Sequence, residues 1–334
     1  MVSMNFSVPK WLITYYHLIG VTSVCLNSFG IYLLIFQCKK LGSFRFYLLF
    51  YQSICFLTDI HMTFLMQGVP LVPYLAGYSV GFLANWFGVP THYLLLIAGC
   101  LGVFQFELLI ICFVKKHQAI AVILKTHVIP KFLEFSGYFI CFISLPIGGI
   151  SFNSVRITEE EKWDYVRKNL TQYYRNFEEL HEFEIYIRTE KFQYLFLCTA
   201  LCGVSIILSI SLIVSDIFHM MRKLKLRIST VTYQKHQEAI RSLLVQSLTS
   251  VLCIVPVGLL GVFVRIEVTN NGELLVGMCI VWFLAHSSIN MIFLLIFFPP
   301  FRNFVSKLYK MKPQRLKLIG GPPSSRMFPS ITKL

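Results

Sequence analysis

A chain of 334 residues that is 56% hydrophobic and 14% charged does not read as two soluble domains, so its long apolar runs are counted first. The 30 Lys and Arg against 16 Asp and Glu leave a formal charge of +14. Those cations fall in short patches between apolar runs, which fits juxtamembrane residues and sets nucleic acid aside as a partner. The ten cysteines show no metal or redox spacing; all but Cys38 lie inside apolar runs, which argues against a disulfide framework.

In chain order, no basic n-region precedes the first apolar run, and that run is too long for a signal-peptide core. It reads as a signal anchor. Seven runs reach spanning length, at approximately 11–36, 46–66, 91–114, 132–151, 192–215, 242–264 and 274–298. They predict an all-α membrane protein, a seven-transmembrane helix bundle occupying residues 1–312. The last run, Leu274–Phe298, carries no charge and at about 1.5 Å per residue is long enough to cross a bilayer interior of about 30 Å. Pro299 and Pro300 then interrupt it. Phe301, Phe304, Val305 and Leu308 recur at helical spacing with Arg302, Lys307 and Lys310 off that stripe, predicting an interfacial amphipathic helix over 301–310. Its cations mark the cytoplasmic side, and seven spans then place the N-terminus outside.

The loops assigned to the inside, with the tail, hold 21 of the 30 Lys and Arg, in agreement with the positive-inside rule. The long outer loop, 152–191, holds seven and speaks against it, but it also carries nine acids and is long enough to have less say. Two glycosylation sequons, at Asn5 and Asn169, both fall in segments assigned to the outside. Residues 67–90 contain Pro70, Pro73, Gly77, Gly81 and Pro90 and read as an irregular outer loop dipping toward the headgroups. The tail, 313–334, has a linker-like composition and is expected to be disordered. No internal repeat is evident, which lowers the case for a transporter built from paired halves.

Charges inside spans are costly, about 2.5–3.5 kcal/mol each on insertion scales. Asp59, His61 and Glu107, with Asn27 and Asn290, form a candidate intramembrane polar switch. The alternative is a static set of hydrogen bonds to Asn27, Asn290, Ser287 or Ser288. Removing a switch acid changes signalling with expression intact; removing a static one lowers surface expression. Pro256 is a candidate helix pivot, though proline is also simply more frequent in membrane helices. Gly77–Gly81 matches the G-x-S-x-G nucleophile elbow but shows no strand pattern around it, so no catalytic residue is assigned. The histidines have no H-E-x-x-H spacing, Cys198 and Cys202 lack other soft ligands nearby, and the last span has no Lys for a retinal Schiff base. No metal or cofactor is expected.

With those residues set out, the chain resembles the nematode seven-transmembrane chemoreceptors of the Str superfamily, most closely serpentine receptor class I (Sri), next to class H (Srh). The resemblance runs from Trp11 to about Lys312. It is carried by FQCKKLGSFRFYLLFYQ (36–52), LTDIHMTFLMQ (57–67), PLVPYLAGY (70–78), FE at 106–107, KKHQAIA (115–121) and FFPPFRNF (297–304). It implies an N-out receptor in sensory neurons, coupled to a heterotrimeric G protein. Where the family usually has Pro-Tyr-Arg, this chain has Pro300-Phe301-Arg302 and lacks the ring hydroxyl. Rhodopsin-like receptors are more distant. Asn27 and Asp59 resemble their polar pair and Cys253-x-x-Pro256 their kink, but Ile254 replaces a tryptophan, Lys115-Lys116-His117 replaces Asp-Arg-Tyr, and the outer loop has no Cys.

The combined reading is a chemosensory G protein-coupled receptor of the plasma membrane, in a sensory cilium, with arrestin or a receptor partner as further contacts. A small odorant- or pheromone-like ligand would meet His92, Tyr93, Gln193, Tyr194 and Trp282 in the outer halves of the spans. Coupling would use Lys115, Lys116, His117, Arg222, Lys223, Lys225, Arg227 and Arg302. The rivals are a seven-helix ligand-gated channel, which needs the N-terminus inside, and a small-molecule transporter, which needs a polar path at the midplane.

Overall fold

A computed structural model describes residues 4–180, 182–266 and 272–308. Lipid offers no hydrogen-bond partner, so a spanning backbone must satisfy itself, and helices do that. Six helices are long and apolar enough to cross a bilayer: α1 (Lys10–Phe36), α2 (Phe44–Ile60, prolonged to Met66), α4 (Thr91–Leu124), α5 (Lys131–Asn153), α8 (Glu190–Leu224) and α10 (Gly272–Phe297). The seventh member, α9 (Thr230–Ile266), packs along α10 and continues through Pro256. A short helix, α11, follows Phe298 over 299–308, and Phe301 is buried on its inner side. Residues 309–334, including the expected tail and Lys310, lie outside the described residues.

Several helices run past the expected spans at the bundle's basic end: α4, α8, which reaches Leu224 rather than 215, and α9, which starts at Thr230 rather than 242. The apolar run at 91–114 predicts a shorter helix than the one formed: α4 runs ten residues further, to Leu124. The run KKHQAIAVIL contains good helix formers and no breaker. Apolarity ends at Lys115, but helicity does not. The second span finishes in a π-helical turn, His61–Met66, where Gln67 N–H donates to Met62 O at 3.2 Å and Gln67 takes a left-handed conformation, φ 45°. Such turns recur at functional positions.

Residues 67–90 are not an irregular loop. They form β1 (Gly68–Pro70), β2 (Ala76–Ser79) and the short helix α3 (Phe82–Phe87). β3 (Phe183–Ile185) joins from the long loop, making a three-stranded antiparallel sheet in the order β1-β2-β3, with Val69 opposite Tyr78 and Gly77 opposite Glu184. Pro70 sits on the edge strand, where a missing N–H is tolerated. At Gly77 a Cβ would stand 2.9 Å from the Val69 carbonyl, and at Gly81 it would run into the backbone of Leu65. These two glycines therefore serve close backbone approach. Strands this short carry no legible period, which is why the sequence showed only breakers.

Helices α6 (Glu159–Asn169) and α7 (Tyr174–Glu178) complete a cap over one end of the bundle. Thr158 and Glu161 start α6 with a reciprocal capping box. The cap has its own core of Met4, Val69, Leu71, Tyr78, Val166, Leu170, Phe177, Phe183 and Ile185. Met4 N–H donates to the Tyr173 hydroxyl at 3.1 Å, so the N-terminal segment belongs to it. The main core fills the opposite half of the bundle, from Leu33, Leu48, Tyr51 and Leu109 down to Phe113, Leu224 and Phe298. With Lys115, Lys116, Arg222, Lys223, Lys225 and Arg227 gathered there, that end is the basic end of the bundle.

Candidate functional site

The polar groups of the spans do not form one network. Asp59, on α2 and 4% exposed, accepts from Ser23 and, at 3.0 Å, from Asn27 Nδ2, both on α1. Asn27 also donates to Ser287 on α10 at 3.1 Å, and its carbonyl oxygen accepts from Gln52, one turn pair back on α2. Three helices are thus joined around a buried carboxylate whose direct partners are hydroxyl and amide groups. Lys and Arg make no ion pair with it among the described residues.

The other expected members sit elsewhere. His61 projects to the far side of α2, where Nε2 meets the Leu94 carbonyl on α4 at 2.9 Å. Glu107 accepts from Ser144 on α5, and its second oxygen is buried without a partner among the described residues. Asn290 accepts from Thr249 on α9 at 3.0 Å, while Tyr51 pairs with Ser250 at 2.8 Å. Sequence reasoning missed Ser23, Gln52, Thr249 and Ser250. Gln52 and Ser23 had a usable signal, since each lies at helical spacing from a recognised polar residue, seven before Asp59 and four before Asn27.

At the cap end, His92 is fully buried, stacked on Phe152 at 4.9 Å between ring centres, with Nδ1 2.9 Å from the Tyr186 hydroxyl. Tyr93, Tyr194 and Trp282 are exposed on three different helices, and Gln193 is exposed as well. Tyr93 lies under the Arg156 guanidinium. A separate open cleft of about 560 Å³ runs between α1, the π turn and α3, with His17, Phe64, Gln67 and Trp86 in its walls. It contains none of the five expected ligand contacts.

Inside the cap, Lys162 is 4% exposed and donates to Glu159 and, at 3.0 Å, to the Phe183 carbonyl. Glu184 is buried beside it, 3.3 Å from Arg156. Burial raises the Glu184 pKa, and the nearby Lys162 and Arg156 offset part of that. Glu161 is held below the usual carboxylate range by the hydrogen bonds it accepts from Thr158. Asn5 and Asn169 are both exposed and belong to this same body.

At the basic end, three expected coupling residues are already engaged. Lys115 pairs with Glu134 at 2.5 Å, Lys116 is buried over the Phe44 ring, and His117 meets Asp216 at 2.7 Å. Arg222, Lys223, Lys225, Arg227 and Arg302 are exposed. Arg227 donates to the Leu124 carbonyl at 3.4 Å, covering the end of α4.

The model of the family described as serpentine type 7TM GPCR chemoreceptor Sri matches residues 2–305. The chain belongs to the Sri family. This Sri receptor is also similar to the crystal structure of squid rhodopsin, with a TM-score of 0.52 at 12% identity, over 91% of this chain and 87% of that one. At that identity the likeness is one of fold, a seven-helix receptor bundle. No curated protein matches the Sri chain. The family match spans the cap as well as the helices, so the sheet and α6 fall within the matched region rather than in an appended domain.

Proposed function

We propose that this Sri receptor lies in the plasma membrane with its cap outside, detects a small odorant- or pheromone-like molecule, and activates a heterotrimeric G protein at its basic end. The observation that carries the reading is the Asp59 cluster, a buried carboxylate that ties α1, α2 and α10 through neutral partners. Such a group can exchange partners without breaking an ion pair, which suits an element with two arrangements. An agonist shifts that equilibrium only by its difference in affinity between them. Tyr93, Gln193, Tyr194 and Trp282 remain the proposed ligand contacts on α4, α8 and α10, and His92, sealed beneath Tyr186, is the residue a ligand would reach only by moving the cap. The exposed Arg222, Lys223, Lys225, Arg227 and Arg302 form the docking face for the G protein and for arrestin.

The test is a cell assay with a promiscuous G protein, a calcium readout and a panel of volatile organic compounds. Asp59→Asn is expected to change basal or evoked signalling at unchanged surface level. A fall in surface level with proportionate signalling would make the cluster a static structural element. Charge reversal of Arg222, Lys223 and Arg227 is expected to abolish the response at unchanged surface level. Glycan occupancy at Asn5 and Asn169 fixes the orientation; an unglycosylated Asn5 reachable only after permeabilisation would overturn it.

A further inference from the structure

At the basic end one side-chain cluster joins three elements. His117 stands on α4, His127 in the turn between α4 and α5, and Asp216 on α8. His117 Nε2 lies 2.7 Å and His127 Nδ1 3.0 Å from the same Asp216 oxygen, and the three ligand atoms fall within 4.8 Å of one another. We propose that this cluster binds a divalent transition-metal ion of the zinc class, which pins the 125–130 turn to α8.

Two imidazoles and a carboxylate are a donor set that zinc takes at about 2.0–2.1 Å in tetrahedral geometry. Ligand atoms around such an ion stand about 3.3 Å apart, so the two contacts to Asp216 open by about 0.3–0.6 Å, while the two imidazole nitrogens, within 4.8 Å of each other, close by at most about 1.5 Å. The side chains of His127 and Asp216 are 57% and 30% exposed, which leaves a path for the ion and room for water in the fourth position.

The turn itself is built to hold His127 there. Ile129 N–H donates to Gln118 Oε1 at 2.8 Å, and Gln118 Nε2 donates to the His127 carbonyl at 3.3 Å. Lys125 and His127 both take left-handed conformations, with φ 55° and 58°. At Lys125 that conformation is a common way to end a helix, and His127 repeats it two residues on, where the Gln118 contacts hold the turn.

Metal uptake has a definite proton balance. In their neutral forms the two imidazoles donate N–H to Asp216 in this arrangement; to ligate from that form, His127 moves its proton from Nδ1 to Nε2 and His117 from Nε2 to Nδ1. From the neutral forms no proton is released overall; an imidazolium releases one proton on ligation. The His117 shift costs the contact between Nδ1 and Gln118 Nε2, now 2.9 Å. The site is therefore weaker than a closed structural zinc site and suits a reversible ion. Leu124, Thr126, Lys223, Leu226 and Arg227 line a small cleft beside it, next to the proposed docking face. The effect on coupling rests on that docking assignment; the metal site does not.

The test uses full-length receptor in lipid nanodiscs, without a polyhistidine tag, titrated with Co2+, whose visible bands report tetrahedral ligation. One equivalent is expected to bind and to be displaced by Zn2+. His127→Ala, at an exposed position, and Asp216→Asn are each expected to weaken binding at least about tenfold, with thermal unfolding unchanged for His127→Ala. Absence of the bands, or an unchanged Co2+ titration in His127→Ala, overturns the proposal. In a second arm, Zn2+ is expected to slow receptor-stimulated nucleotide exchange in the wild type and not in His127→Ala. Binding without that effect overturns the clamp. No exchange under any condition, with Co2+ still bound, counts against the coupling reading and leaves the site standing.

Discussion

The cap and the basic-end core are both well packed, yet different forces hold them. The cap packs in water: Phe177 and Val166 are fully buried, and the sheet brings chain segments more than a hundred residues apart into register. Its apolar groups leave solvent, so burial itself is the driving term. The basic-end core lies among lipid tails as apolar as its own side chains, so packing contacts and interhelical hydrogen bonds must do the work. The same kind of change should therefore cost more in the cap.

Phe177→Ala gives the largest expected effect, about 3–5 kcal/mol of cap stability. Hydrogen exchange on purified receptor should show amides in 155–186 losing protection while those of α2 and α4 keep theirs; uniform loss would mean that cap and bundle are one cooperative unit. Next comes Lys162→Met, which strips the Phe183 carbonyl of a charged donor and Glu184 of a neighbouring cation. A loss of about 2 kcal/mol confined to the cap is expected by the same measurement.

Thr158→Ala removes one half of the α6 capping box and should cost about 1 kcal/mol. The pH dependence of the cap follows from its acids. Glu161 is lowered, so its contribution is present above its ordinary value of 4.5 and is lost as pH falls through the lowered one. Glu184 is raised, so its contribution is complete below 4.5 and is lost as pH rises through the raised value. Glu184→Gln should erase the upper limb of a protection-against-pH curve and leave the acid limb. The smallest effect belongs to the bundle. Gln52→Leu removes an interhelical hydrogen bond to Asn27 but should cost only about 0.6 kcal/mol in thermal unfolding, and a value matching Lys162→Met would break the contrast.

The helices were legible because a bilayer imposes length and apolarity on each, and the Asn27–Asp59 pair because polar groups in such runs stand out. Glu107 and His61 were equally visible, but sequence gives no azimuth between helices, so their separation from Asp59 was not. The far end of α4 was hidden because cations end an apolar count without ending a helix. The cap was hidden because strands of three or four residues have no period, and its pairings join distant segments. The same holds for His117 and Asp216, which meet across 99 residues.

The buried Met4, bonded to Tyr173, has a practical consequence for anyone handling this receptor. With no cystine stapling the cap, mild reductants in the bath leave it undisturbed, whereas a fluorescent protein spliced ahead of Met4 pulls directly on a structural seam.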